Sequence, residues 1–395
     1  RSRCMRAKPA PPPSHSAPAR IVENEDRSQQ EGQPDAVDVQ GQVSVWRGSR
    51  SARTIKRWAE PSRTRNRWGR PRRRDYRSGV ASAAVSPESR LAEVASGVHA
   101  YLQPDRWGMS NAGLVAGEGS SLLVDTLFDL PLTQRMLDMM APVTAAAPIR
   151  SLVNTHANGD HCYGNELVTG AEIIASQASA LEMDEVPAPL LAALLDADFA
   201  DPLAGYLQRC FGDFDFAGVT GANPTRTFSG RLDLEIAGRT AQVVEVGPAH
   251  TRGDVLVHLP DAAVAFTGDI LFIDATPIVW AGPISNWLAA CDQLLAWDLD
   301  VIVPGHGPLT DDRGVTEVAD YLRWVLDEAT ARHAAGESAE SATFDIELNG
   351  YAGWRSPERL VINVEAVYRE LDPAHESPDV VGLFERMARL EQHLR

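Results

Sequence analysis

The sequence predicts a layered α/β body with helices outside sheets, and three observations carry that prediction. Short β-branched runs bounded by turn residues alternate with stretches whose apolar residues recur at helical spacing. Several of the strand-like runs end in loops rich in His and Asp. The composition also breaks near residue 80: residues 1–80 hold 19 Lys+Arg against 8 Asp+Glu, and the chain totals of 37 and 54 then leave 18 and 46 for residues 81–395, a net of −28.

In chain order, residues 1–80 carry the run Ala10-Pro11-Pro12-Pro13 and the cluster Arg70-Pro71-Arg72-Arg73-Arg74, with few aliphatic residues between them. Such a segment cannot build a core and is expected to be a disordered basic extension. A natural start near Val80 would make it upstream sequence read in frame. The alternative is an RNA-binding arm, with Trp46, Trp58 and Trp68 interleaved among arginines.

The body, residues 81–313, opens with strand-like runs at 97–102 and 112–116 and a turn at 117–120 leading into a third at 121–125, a hairpin signature. Leu132, Met136, Met139 and Met140 give a helix over about 131–141, followed by strands at 149–154 and 172–175. Residues 178–218 interrupt with leucine-rich helical sequence, either a lid or packing on the sheet. Strands resume at 231–236, 241–246, 254–259 and 262–267, then a helix at 285–297 and a strand at 300–303. A helical C-terminal segment, 314–395, is expected to pack on the catalytic body.

The chemistry concentrates at four strand ends. The first reads Thr155-His156-Ala157-Asn158-Gly159-Asp160-His161, the second Gly247-Pro248-Ala249-His250, the third Thr267-Gly268-Asp269 and the fourth Pro304-Gly305-His306-Gly307. Loops at strand ends are where rigid scaffolds present reactive groups. Imidazole nitrogen and carboxylate oxygen without thiolate suit an open catalytic Zn²⁺ site, and also Fe or Mn. Glycines beside the candidates let the backbone turn so that side chains from separate strands converge.

These four motifs, in this order over residues 95–310, resemble the metallo-β-lactamase superfamily, whose usual first motif is His-x-His-x-Asp-His. The resemblance implies a four-layer αββα sandwich with one or two metals at one edge. It places His156 and His250 at a first metal site, Asp160, His161 and His306 at a second, and Asp269 between them. Asp160 would also orient water and move its proton. Asn158 stands where the family has histidine, so the first site should bind its metal less tightly. If it binds no metal, its amide can donate to a substrate carbonyl.

The flavour of residues 154–165, with Ser285-Asn286-Trp287, is similar to the thioesterase/cyclase proteins of bacterial aromatic polyketide pathways. That narrower resemblance implies a poly-β-ketone thioester on an acyl carrier protein, with hydrolysis or aldol ring closure as the outcome. A general lactonase or esterase, or a binding module with a degenerate metal site, are the competing readings.

The acidic body argues against nucleic acid as a partner. No apolar run reaches the roughly 18 residues of a membrane span. Cys4, Cys162, Cys210 and Cys291 form no CxxC pair, so a reducing, cytoplasmic setting is expected. Cys162 reads as a buried, inert thiol, and Tyr163 and Trp287 as pocket or packing residues. For an acidic carrier protein, Arg323, Arg332, Arg355 and Arg359 are the candidate basic patch, or else solvated helix faces.

Overall fold

The computed structural model describes residues 88–236 and 238–395. The expectations for residues 1–80 lie outside the described residues.

Two sheets stack face to face. The first runs in order β1 (Arg90–Ala95), β2 (Val98–Leu102), β3 (Ala112–Ala116), β4 (Ser121–Val124), β5 (Ile149–Val153), β6 (Glu172–Ser176) and β7 (Arg226–Phe228). It is antiparallel from β1 to β4 and parallel from β4 to β7. The second holds β8 (Arg231–Ile236), β9 (Arg239–Glu245), β10 (Val255–Leu259), β11 (Val264–Phe266) and β12 (Val301–Val303), with β11 and β12 parallel.

Period-2 alternation sets the layers. On β4, Leu122 and Val124 face the space between the sheets and Leu123 faces the helical side. On β10, Val255, Val257 and Leu259 point inward in the same way. Gly113 on β3 makes room for the other sheet, because a Cβ there would lie 2.2 Å from the Phe266 ring. The result is the αββα sandwich expected of the resemblance.

Helices cover both faces. α1 (Leu130–Thr144) starts where Asp129 accepts from the Leu132 amide at 2.7 Å, with Pro131 in the first turn. α2 (Gly159–Cys162) is one turn inside the first motif loop. The leucine-rich stretch forms α3 (Gln177–Glu182), α4 (Ala188–Asp196) and α5 (Leu203–Phe211). α6 (Ile284–Ala296) and α7 (Asp312–Ala334) pack together, followed by α8 (Ala339–Asp345), α9 (Leu360–Leu371) and α10 (Val380–Leu394). The helical C-terminus is present, and its last helix packs against α5 and α9. β1 and β7, both edge strands, were not expected from the sequence; β1 is half-buried and β7 has three residues, so neither has a strong hydrophobic pattern. Among the described residues no helix is long and apolar enough to cross a membrane.

Candidate metal centre

The parallel pairs β4/β5 and β11/β12 deliver their C-terminal ends to one edge of the sandwich, and the loop after β9 joins them there. His156 follows β5, Asp160 and His161 sit on α2, His250 lies in the loop after β9, Asp269 follows β11 and His306 follows β12. All six are between 0 and 9% exposed. The structure therefore brings together every residue that the motifs nominated as a ligand.

They form two groups, His156–His250–Asp269 and Asp160–His161–His306, within each of which the ligand atoms lie no more than 4.8 Å apart. Asp269 divides itself between them. Its Oδ2 lies 3.3 Å from His250 Nε2 and 3.7 Å from His156 Nε2, while Oδ1 lies 3.1 Å from His161 Nε2 and 3.3 Å from His306 Nε2. Gly305 makes this possible, since a Cβ there would fall 2.1 Å from Asp269 Oδ1.

The imidazoles are held by their outer nitrogens, so that Nε2 faces the centre in each case. His250 Nδ1 lies 2.6 Å from the Ile278 carbonyl, His306 Nδ1 3.1 Å from that of Met109, and His156 Nδ1 3.0 Å from Thr155 Oγ1. His161 Nδ1 meets Asp125 Oδ2 at 2.9 Å. Anchors of this kind fix the ring and the tautomer of a metal-ligating histidine. Asp125, at the end of β4 with φ +64°, also accepts from the Thr155 amide and hydroxyl, both at 2.7 Å. The motif reading missed it, although an aspartate just past a strand end, here in Leu123-Val124-Asp125, is the kind of signal that found Asp269 in Thr267-Gly268-Asp269.

Among these buried atoms, His156 Nε2, His161 Nε2 and Asp269 Oδ1 have no hydrogen-bond partner. Orphaned polar atoms are costly inside a protein. Their convergence, with a donor set of nitrogen and oxygen, fits one or two divalent cations.

The electrostatics differ between the groups. Burial pushes His156 well below the usual histidine range, helped by the charge of His161, and burial likewise lowers His250. Burial also opposes charge on His161 and His306, but Asp269 and Asp160 override it, lifting His306 to about 9 and His161 well above its ordinary value. Asp269 is held well below the carboxylate range because His306 and the other three imidazoles outweigh its burial.

Asn158 reaches the first group, with Nδ2 3.0 Å from His250 Nε2. Since His250 donates from Nδ1 to a carbonyl, its Nε2 is the acceptor in this contact. Cys162 is buried, contacts the Ala157 carbonyl, and has its thiol pushed far up by burial, so it is no nucleophile. Trp287 packs fully buried with its indole N–H on the Ile270 carbonyl, whereas Tyr163 lines the cavity beside the cluster.

A cavity opens above the centre. Its floor includes Asn158, Asp160, His250, Asp269 and His306, and its roof is apolar: Leu190, Leu191 and Leu194 of α4, Phe211 of α5, and Val380, Val381 and Phe384 of α10. The leucines of the inserted stretch thus serve neither of the two alternatives alone. Leu190, Leu191 and Leu194 are buried, and they form a wall shared with the C-terminal helix, whereas Leu181 is exposed.

The metallo-β-lactamase superfamily model matches residues 105–306, the span that holds all six side chains. The chain belongs to the metallo-β-lactamase superfamily. Members of the superfamily are mostly hydrolytic enzymes. This member is 28% identical over 267 residues to a linear primary-alkylsulfatase of a Pseudomonas strain, covering 58% of this chain and 49% of that protein. It is 26% identical over 209 residues to an acyl-coenzyme A thioesterase of Gallus gallus, covering 50% and 72%. Among solved structures, a stereoselective inverting sec-alkylsulfatase from Pseudomonas sp. shares the fold with a TM-score of 0.55 at 16% identity, over 73% of this chain and 52% of that one. The chain spans about half the length of both alkylsulfatases.

Proposed function

We propose that this superfamily member is a metal-dependent hydrolase of acyl thioesters whose acyl part is largely hydrocarbon. The observation that carries the proposal is a polar, two-part ligand cluster split by Asp269 and roofed by leucine, valine and phenylalanine. His156, His250 and Asp269 would hold one cation, and Asp160, His161 and His306 another, with Asp269 shared. A bound divalent cation supplies a water of lowered pKa and a Lewis acid for a carbonyl.

The chain's own residues do the rest. Asp160 lines the cavity, its Oδ2 3.4 Å from His306 Nε2, and can take a proton from water and return it to the leaving thiol. Asn158 lines the same cavity and can turn its amide to the substrate carbonyl. The roof excludes water and orients the acyl chain. Hydrolysis of the thioester of a relative favours this bond type, and aldol closure of a poly-β-ketone chain is the narrower outcome that the same site can host. Delivery by an acyl carrier protein belongs to the same proposal, and most of the arginines that were candidates for a basic patch, or else for solvated helix faces, are engaged within the chain. Arg323 pairs with Asp320, Arg332 with Glu328 and Asp345, and Arg355 with Asp105, while Arg359 is buried rather than on a solvated helix face.

The test is thiol release from octanoyl-coenzyme A, beside sulfate release from octyl sulfate, by zinc-loaded protein. Chelator-sensitive thiol release supports the proposal. Sulfate release with no thiol release would replace it with an alkylsulfatase.

A further inference from the structure

Arg359 is 5% exposed and belongs to the lining of the cavity. Its Nη1 donates to the Thr276 carbonyl at 3.1 Å, and its Nε is buried with no hydrogen-bond partner. Among the described residues no carboxylate lies within ion-pair distance of it, although Arg332, Arg355, Arg386 and Arg389 of the same C-terminal segment each have one. Its neighbour Glu358 accepts instead from the Tyr206 hydroxyl at 3.0 Å.

A buried guanidinium with no carboxylate in ion-pair contact is expensive, even with the charge of Glu358 acting on it at longer range. Here two aromatic faces offset part of that cost, with Cζ 4.6 Å from the Trp107 ring centroid and 5.2 Å from that of Phe272. Trp107 has a buried indole N–H that is likewise without a partner. Two residues of one cavity wall thus each keep a donor without an acceptor.

The position is well fixed. Ser356 holds φ +52°, the Arg355 amide donates to Asp274 and the Thr276 amide to Arg355, so the arm before Arg359 is tied to the loop that accepts from its guanidinium. Arg359 is also distinct from the metal centre. It pairs with neither Asp160 nor Asp269, and the Phe272 ring that it covers is the ring stacked at 4.9 Å on His306.

We infer that the cavity takes an anionic amphiphile: Arg359 binds an oxyanion of the carboxylate class, one aromatic ring away from the metal centre, while the roof takes the hydrocarbon. This rests on the cavity being the substrate site and adds to the proposed hydrolysis that the substrate carries a negative group besides the bond that is cut. A planar fork suits such an oxyanion better than a lysine would.

Titration of metal-loaded protein with decanoate and with decanol, followed by tryptophan fluorescence, tests it. The unaltered protein should prefer decanoate by roughly tenfold or more, the worth of a charge-assisted pair. Arg359→Gln should bring the ratio of the two affinities to about one, and Arg359→Lys should reduce it at least about threefold. Equal affinities in the unaltered protein would overturn the inference without any variant. So would a preference that survives both substitutions, which would put the carboxylate on the histidine cluster. Should Arg359→Gln lose its cooperative thermal transition, Arg359→Lys decides alone. Decanoate bound through Arg359 with no thiol release contradicts only the proposed hydrolysis. Octanoyl thioester hydrolysis with no decanoate preference contradicts only this inference.

Discussion

The floor and the roof of the cavity are built from opposite materials. The floor is made of segments that follow strand ends, from His156, three residues past Val153, to His161 on the one-turn α2, and each imidazole is pinned by a carbonyl, a hydroxyl or a carboxylate. The roof is made of aliphatic and aromatic side chains from the neighbouring helices α4 and α5 and from α10, the last helix of the chain. Chemistry needs atoms held in place, which strand ends provide, whereas accommodating hydrocarbon needs only buried apolar area. Substitutions in the floor should therefore change metal retention and rate, and substitutions in the roof should change affinity for the acyl chain.

The strongest way to break that contrast is Asp269→Ala. It removes the carboxylate that both groups share, and thiol release from octanoyl-coenzyme A at saturation should fall by roughly a thousandfold or more, as expected for loss of metal catalysis. Retention of even a tenth of the rate would put the chemistry elsewhere. Asp125→Ala comes next. Loss of the carboxylate behind His161 should weaken zinc by about 10–100-fold in chelator competition, the usual effect of removing such a partner.

Asp125 also shows what the sequence made legible. The six candidate ligands sat in motifs with glycine-bounded strand ends, so the residue types announced themselves, and most strands were visible because their β-branched runs were short and bounded by turns. Asp125 carried the same signal in a strand that had no other motif attached. The roof was not legible, because Leu190, Phe211 and Phe384 look like any helical apolar stripe until tertiary packing decides what they face. Arg359 was read as a helix-surface charge for the same reason: its burial depends on Trp107 and Phe272, which lie about 250 and 90 positions away in the sequence.

Acidity separates the two halves of the floor. His306, lifted to about 9, and His161, lifted well above its ordinary value by Asp269, Asp160 and Asp125, favour their protonated forms, which a cation must displace; His156 and His250 are lowered by burial. Apparent zinc affinity of the Asp160–His161–His306 group should therefore rise with pH, about tenfold per unit for each displaced proton, up to about pH 9. A flat profile between pH 7 and 9 would show that these imidazoles are already neutral.

A smaller effect is expected from the roof. Leu194→Ala should raise KM for octanoyl-coenzyme A roughly tenfold through lost apolar contact, with kcat and zinc content close to those of the unaltered protein. A fall in kcat equal to the rise in KM would mean that the roof also sets the geometry of the reacting bond.

The claim beneath all of these is that the cluster is a metal centre whose first half is weakened by Asn158. Asn158 already reaches His250 Nε2 at 3.0 Å, so a histidine there would stand beside the first group. Metal analysis of protein purified without chelator, beside Asn158→His, tests this most directly. The account predicts at least about one equivalent per chain in the unaltered protein, rising toward two in the variant. Less than about a tenth of an equivalent in both would contradict it.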